Sequence, residues 1–177
     1  LCRDIAQKFN NDFNVENFFV TPEPLIQKEF SRIMSLKDGM KKMSKSEPSD
    51  LSRINLSDTE DQIINKIKKA KTDTLPMPID MNDLNKRPEA RNLLGIYSSL
   101  KKKDLEESVK EFSGKNFSVF KDNLAQVLVD KIFPLSLEIK KLLNEKGYLN
   151  QILFEGAQKA NDIASKKIKE IHKIMGF

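Results

Sequence analysis

Between Phe117 and Leu142 the apolar residues Phe117, Phe120, Leu124, Leu128, Ile132, Leu135, Ile139 and Leu142 recur every three or four positions. That spacing lays them along one stripe of an α-helix of roughly seven turns, and such a stripe needs other elements to cover it. The same period continues on both sides. Ile63, Ile64, Ile67 and Ala70 follow Ser57 and Glu60, whose spacing predicts a capping box. Leu93, Leu94, Tyr97 and Leu100 predict another helix, and Asp104 and Glu107 open a short one that ends near Gly114. Beyond Gly147, Leu149, Ile152, Leu153, Ala157, Ala160, Ile163, Ala164, Ile168 and Ile171 mark a last helix. Pro134 falls inside the longest run and predicts a kink there. Pro76, Pro78 and Pro88 make residues 74–88 a connection. Residues 61–177 therefore predict a helical bundle, with Phe112, Phe117, Phe120, Phe133 and Phe154 as core residues rather than stacking platforms.

Residues 1–60 follow a different pattern. Asp4-Ile5-Ala6-Gln7-Lys8-Phe9 reads as an amphipathic helix, and Phe18-Phe19-Val20 leads into Thr21-Pro22-Glu23-Pro24, where two prolines prevent a helix from continuing. Arg32-Ile33-Met34-Ser35-Leu36 is a short apolar segment suited to a strand. Residues 37–50 hold Gly39, Pro48 and the lysines 37, 41, 42 and 45 with little apolar content, which predicts a surface loop. These elements are too few to close a sheet by themselves. The expected class is mainly α, with a small α/β portion over 1–60 and a helical region over 61–177.

Composition narrows the setting. The single cysteine, Cys2, has no partner for an internal disulfide or a metal site, which favours a reducing compartment such as the cytoplasm. No apolar run approaches the length of a membrane span. The formal net charge of +5 permits a nucleic-acid partner without requiring one. Lysine-rich surfaces give sequence-blind phosphate contact, and the run Lys101-Lys102-Lys103 reads first as solvated surface.

One stretch carries chemistry. In Lys42-Met43-Ser44-Lys45-Ser46 two ammonium groups three residues apart stand on a polar loop, so both can reach one polyphosphate. Hydroxyls and loop N–H groups add donors to the same oxygens. Such a loop suits a reaction in which negative charge builds on a leaving group. A generic Lys-x-x-Lys reads as solvated surface, but the full pentapeptide arises by chance in on the order of one chain in a thousand of this composition.

The pentapeptide resembles the KMSKS signature of class I aminoacyl-tRNA synthetases. Further segments resemble consecutive landmarks of the bacterial-type tryptophanyl branch. These are Arg3-Asp4-Ile5-Ala6-Gln7-Lys8-Phe9-Asn10, Arg32-Ile33-Met34-Ser35-Leu36, Lys71-Thr72-Asp73, Asn92-Leu93-Leu94-Gly95-Ile96-Tyr97 and Glu155-Gly156-Ala157-Gln158-Lys159-Ala160-Asn161. The resemblance runs along the whole chain. It implies that Lys42, Met43, Ser44, Lys45 and Ser46 form an ATP-binding loop, with Lys42 and Lys45 catalytic. It also implies that Ile33 contacts the adenine end of ATP through its backbone, although a buried strand residue is an equal reading of Ile33 on physical grounds. Mg²⁺ is expected only as carried by ATP, with no dedicated metal site. Residues 1–60 become the C-terminal end of a Rossmann-type catalytic domain, and 61–177 an anticodon-binding domain for tRNA(Trp).

The family's HIGH-type motif and its tryptophan-binding acidic residue do not occur in these 177 residues. His172, the only histidine, lies on a charged helix and is no catalytic remnant. The expectation is a portion of a tryptophan–tRNA ligase that holds half an ATP site, no tryptophan pocket and no activity alone, from a parent that is a cytoplasmic homodimer. Two alternatives stay open: a tyrosyl-type synthetase portion, and a stand-alone RNA-binding or interaction bundle. Glu155–Asn161 reads first as helix packing, with Gly156 and Ala157 allowing close approach, and Asp73 reads also as a helix-end cap.

Overall fold

The computed structural model describes residues 1–25 and 31–177, and the chain is mainly helical. Its helices are α1 (Cys2–Asp12), α2 (Glu60–Lys68), α3 (Met81–Asn85), α4 (Pro88–Lys101), α5 (Leu105–Phe112), α6 (Phe117–Asn144) and α7 (Lys146–Met175). Among the described residues the strands are β1 (Met34–Ser35) and β2 (Asp38–Lys42), an antiparallel hairpin. Two compact units result, one of Gln27–Asn144 and one of Leu1–Ile26 with Glu145–Phe177.

The larger unit has one continuous core. Ile63 and Ile67 of α2, Leu93 and Leu94 of α4, Val109 and Phe112 of α5, and Phe120 and Leu124 of α6 are essentially sealed from water. Burying each of these side chains contributes about 1.5–3 kcal/mol. Tyr97, Phe112 and Phe120 meet edge to face, with centroids 4.9 to 6.0 Å apart. Burial and the neighbouring Glu111, which accepts the phenolic proton at 2.9 Å, push the Tyr97 hydroxyl up to about 12. The change of period at residue 60 does not separate two cores. Leu36, from the hairpin turn, belongs to the same buried core as Ile63, Ile67 and Leu93.

Several boundaries differ from the sequence expectation. The capping box is built by Thr59 and Gln62, two residues beyond Ser57 and Glu60, because α2 starts at Glu60 and the side chain of the intervening Asp58 is committed to Lys66. Residues 74–88 are not all connection. Asp80 accepts from Asp83 N–H at 2.7 Å and caps the short α3, while Pro88 opens α4 at a position where a missing N–H costs nothing. Helix α6 runs through Pro134 without ending. Its buried face is concentrated before that proline, and Leu135, Leu137 and Leu143 are half or more exposed. Gly147 lies inside α7, not before it.

The connection is held by charge. Arg87, only 8% exposed, donates to both carboxylate oxygens of Asp73 at 2.7 and 2.8 Å, to Asp83 at 3.3 Å and to the Pro76 carbonyl at 2.7 Å. Asp73 also accepts from Leu75 N–H, so it secures the connection after α2. Partial burial works against ionising Asp73, but Arg87 outweighs it and holds this carboxyl below its ordinary range. Lys71 does the same for Glu89 across 2.8 Å. A carboxyl whose folded pKa is depressed stabilises the fold above its unfolded value near ~4, and that stabilisation is lost as pH falls through the folded value. The melting temperature is therefore expected to drop between pH 5 and pH 3, and Asp73→Asn should shrink the drop. Thermal melts across that range check it; an unchanged pH slope in Asp73→Asn would rule out this pair as a source.

The smaller unit is built on Phe9 of α1, whose ring lies 4.7 to 5.4 Å from those of Phe13, Phe18 and Phe19. The Asn10 amide pairs with both backbone groups of Phe19, at 2.8 and 3.0 Å, and Lys167 Nζ stands 3.9 Å above the Phe18 ring. Helix α7 buries no residue, so Phe154, 64% exposed, is not the core residue its spacing suggested. Among the described residues a Cβ at Gly156 would likewise meet nothing within 4 Å, so the close approach expected at Glu155–Asn161 is not seen there. The reason is size: four phenylalanines around an 11-residue helix cannot cover the apolar stripe of a 30-residue one. Gly176, at φ +86°, ends α7 with Phe177 N–H bonded back to the His172 carbonyl.

Candidate functional site

The lysine loop grows out of the hairpin. Where sequence predicted a strand over 32–36 and loop thereafter, the chain turns at Leu36-Lys37 and returns as β2, so Lys42 is a strand end. Two contacts explain why. Leu36, 2% exposed, plugs the core, its N–H bonded to the Ser52 carbonyl and its carbonyl to Lys71 N–H. Gly39 lies so close to α4 that a Cβ there would stand 2.6 Å from the Glu89 backbone nitrogen. The other strand is held by Asn92 of α4, whose amide oxygen accepts from Met34 N–H and whose amide nitrogen donates to the Met34 carbonyl, each at 2.8 Å. A side chain thus replaces a third strand.

Pairing continues one step past the sheet, since Met43 N–H donates to the Ile33 carbonyl at 3.0 Å. Ile33 is therefore fixed by its backbone, while its side chain is 47% exposed, so it is not the buried strand residue of the alternative reading. Met43 packs against the core. The chain then makes a tight turn with Lys45 and Ser46 at its tip, closed by Glu47 N–H to the Ser44 carbonyl at 3.5 Å. The Ser44 hydroxyl lies 2.9 Å from that of Ser46 and accepts from Ser46 N–H at 3.3 Å. Met43 thus faces inward while Lys42 and Lys45 extend into solvent, and among the described residues neither lysine pairs with a carboxylate.

Ile33, Lys42, Met43, Ser44 and Lys45 line one open cleft of about 700 Å³. Ser46 supports the turn but does not reach that cleft. The same cleft is also lined by Arg53 and Asn55, which sequence reasoning passed over. Behind them lies a buried charge network. Lys66 Nζ, 3% exposed, bonds Asp58 at 2.6 Å and Asp50 at 2.7 Å. Asn55 donates to both of these carboxylates, at 2.9 and 3.1 Å. The Lys66 hydrogen bond, with Asn55 second, holds Asp50 below the usual carboxylate range. A signal was present, because Lys66 stands on the apolar stripe of Ile63, Ile67 and Ala70, where a lysine needs a buried partner. Among the described residues no group of three His, Cys, Asp or Glu is placed to hold a metal ion, and no helix is long and apolar enough to cross a membrane.

The model of the class I tRNA synthetases for tryptophan and tyrosine matches residues 1–133, three quarters of the chain. The chain belongs to that family. Among curated synthetases of this family, a tryptophan–tRNA ligase of Caulobacter vibrioides is 48% identical over all 177 residues, and one of Rickettsia conorii is 46% identical. The chain spans about half the length of the curated relatives it matches, 52% and 53% of these two. A solved tryptophanyl-tRNA synthetase of Mycoplasma pneumoniae, 24% identical, shares the fold over 99% of this chain and 51% of its own, with a TM-score of 0.81. That of Campylobacter jejuni, in complex with ADP and tryptophan, is 25% identical with a TM-score of 0.64, over 99% of this chain and 52% of its own.

Proposed function

We propose that this synthetase chain is the phosphate-side portion of a tryptophan–tRNA ligase. The observation that carries the reading is the gathering of Ile33, Lys42, Met43, Ser44 and Lys45 on one cleft, with both ammonium groups in solvent. The names of the 43–48% identical relatives favour tryptophan as the amino acid. In activation, a carboxylate oxygen of tryptophan attacks the α-phosphorus of ATP. The bond from that phosphorus to the bridging oxygen breaks, and pyrophosphate leaves as the aminoacyl-adenylate forms. Lys42 and Lys45 act as catalytic groups by neutralising the charge that grows on the departing pyrophosphate. Ser44 offers its hydroxyl to the same oxygens, Ser46 holds the turn through its contacts to Ser44, and the Ile33 and Met43 backbones meet the adenine end. Mg²⁺ arrives with ATP.

The functional division falls near residue 60, with 1–60 the end of the Rossmann-type catalytic domain and 61–177 the helical region that reads the anticodon of tRNA(Trp). The intact ligase works in the cytoplasm as a homodimer, and its HIGH-type motif and tryptophan pocket lie outside these residues. ATP–pyrophosphate exchange by the intact protein tests the reading. Exchange should depend on tryptophan and be absent with tyrosine, and it should be absent for these 177 residues alone. Tyrosine-dependent exchange would support the tyrosyl alternative instead. Exchange with neither amino acid, alongside tRNA binding, would favour the stand-alone RNA-binding module.

A further inference from the structure

The six residues between the pentapeptide and Arg53 have no regular ladder to hold them beyond a single 3-10 turn at Asp50–Ser52. Arg53 supplies what is missing. Its Nη1 donates to the Glu47 carbonyl at 2.8 Å and to the Ser49 carbonyl at 3.5 Å, two and four residues beyond Lys45. Its Nη2 meets Asp50 Oδ1 at 3.2 Å, and its Nε donates to Asn55 Oδ1 at 3.2 Å. The side chain is 17% exposed and lines the same cleft as Lys42 and Lys45.

The guanidinium is itself aimed by fixed groups. Asn55 N–H and amide both bond Asp58, at 2.9 and 3.1 Å, and the amide also bonds Asp50. Lys66, rooted in α2, ties Asp58 and Asp50 together from the core side. Ile54, next in the chain, packs against the core. A loop whose outgoing limb continues a hairpin and whose return limb is clamped by a planar fork has little freedom to carry its tip elsewhere. Only arginine suits the position, since a lysine has a single nitrogen and cannot meet two carbonyls, a carboxylate and an amide at once.

We propose that Arg53 is a positioning residue for adenylate formation, a clamp that fixes the return limb of the Lys42–Ser46 loop so that Lys45 meets the departing pyrophosphate. This rests on the activation chemistry proposed above. Arg53 acts through Lys45, and its contribution exists only while Lys45 is present. Placement errors of about 1 Å at a charged group cost on the order of a hundredfold in rate, so a loosened clamp has a measurable effect.

The decisive experiment is a mutant cycle in the intact ligase, read by single-turnover adenylate formation, with tryptophan affinity and melting temperature recorded alongside. Arg53→Lys keeps the charge and removes the fork, and Arg53→Gln serves as a second variant should the first fold poorly. Either is expected to slow adenylate formation at least tenfold while tryptophan affinity stays within twofold. Combined with Lys45→Ala, the Arg53 substitution should add no more than a twofold further loss. A wild-type rate in folded Arg53→Lys and Arg53→Gln overturns the clamp. So does a full tenfold loss multiplied onto Lys45→Ala, which would mean that Arg53 acts elsewhere or merely holds the fold. A Lys45→Ala enzyme with undiminished rate would instead refute the activation chemistry, a result separable from both.

Discussion

Replacing Lys66 with methionine is expected to lower the stability of the unit of Gln27–Asn144 by about 3–5 kcal/mol, because it leaves a charge buried without its partner. Asp58 is only 4% exposed, so its carboxylate cannot turn to water when the ammonium at 2.6 Å is removed. Asp50, 54% exposed, can rehydrate and adds little to the loss. A drop of this size in a unit of about 100 residues lowers the melting temperature by roughly 10 °C or more. Adding Asp58→Asn should recover much of it. The Asn oxygen still accepts from one of the two Asn55 donors, and removing the charge on both sides of a buried pair leaves no ion without its partner. Melting of the two variants checks both claims. A Lys66→Met protein within about 1 kcal/mol of wild type would mean that solvent reaches Asp58 readily.

Much of this was legible in the residues. Helical period placed α2, α4 and α5 and the first half of α6, because each packs one apolar stripe against the others and the stripe is what the spacing records. It also placed the later part of α6 and α7 as helices but not their burial, since Leu135, Phe154 and Ile163 keep the period yet stand exposed. Period reports that a face is apolar and says nothing about what covers it. The hairpin strand β2 was missed because its sequence, Asp38-Gly39-Met40-Lys41-Lys42, carries no apolar alternation. Its register comes from contacts distant in sequence, the Leu36 plug, the Gly39–α4 approach and the Asn92 amide. Of the residues on the cleft, those within the pentapeptide were readable from a motif whose chemistry depends on their spacing. Arg53 and Asn55, and Asp58 behind them, were not, since each is an ordinary polar residue until folding brings Lys66 and the loop carbonyls to it.

The largest functional effect is expected at Lys45. Its ammonium stands at the tip of a tight turn, exposed and without a carboxylate partner among the described residues, so its removal leaves the fold intact. In the proposed activation chemistry, what is lost is charge stabilisation on pyrophosphate as it departs, an interaction stronger in the transition state than with bound ATP. In the intact ligase, Lys45→Ala should slow adenylate formation by about a hundredfold or more, equivalent to roughly 3 kcal/mol. Tryptophan affinity should stay within twofold, because the proposed role sets the loop against phosphate and not the indole. The measurement that bears most directly on the role of residues 42–46 is the single-turnover rate of adenylate formation at saturating ATP and tryptophan, wild type against Lys45→Ala. The expected result is that hundredfold fall with unchanged tryptophan binding; an unchanged rate accompanied by weakened tryptophan binding would contradict it.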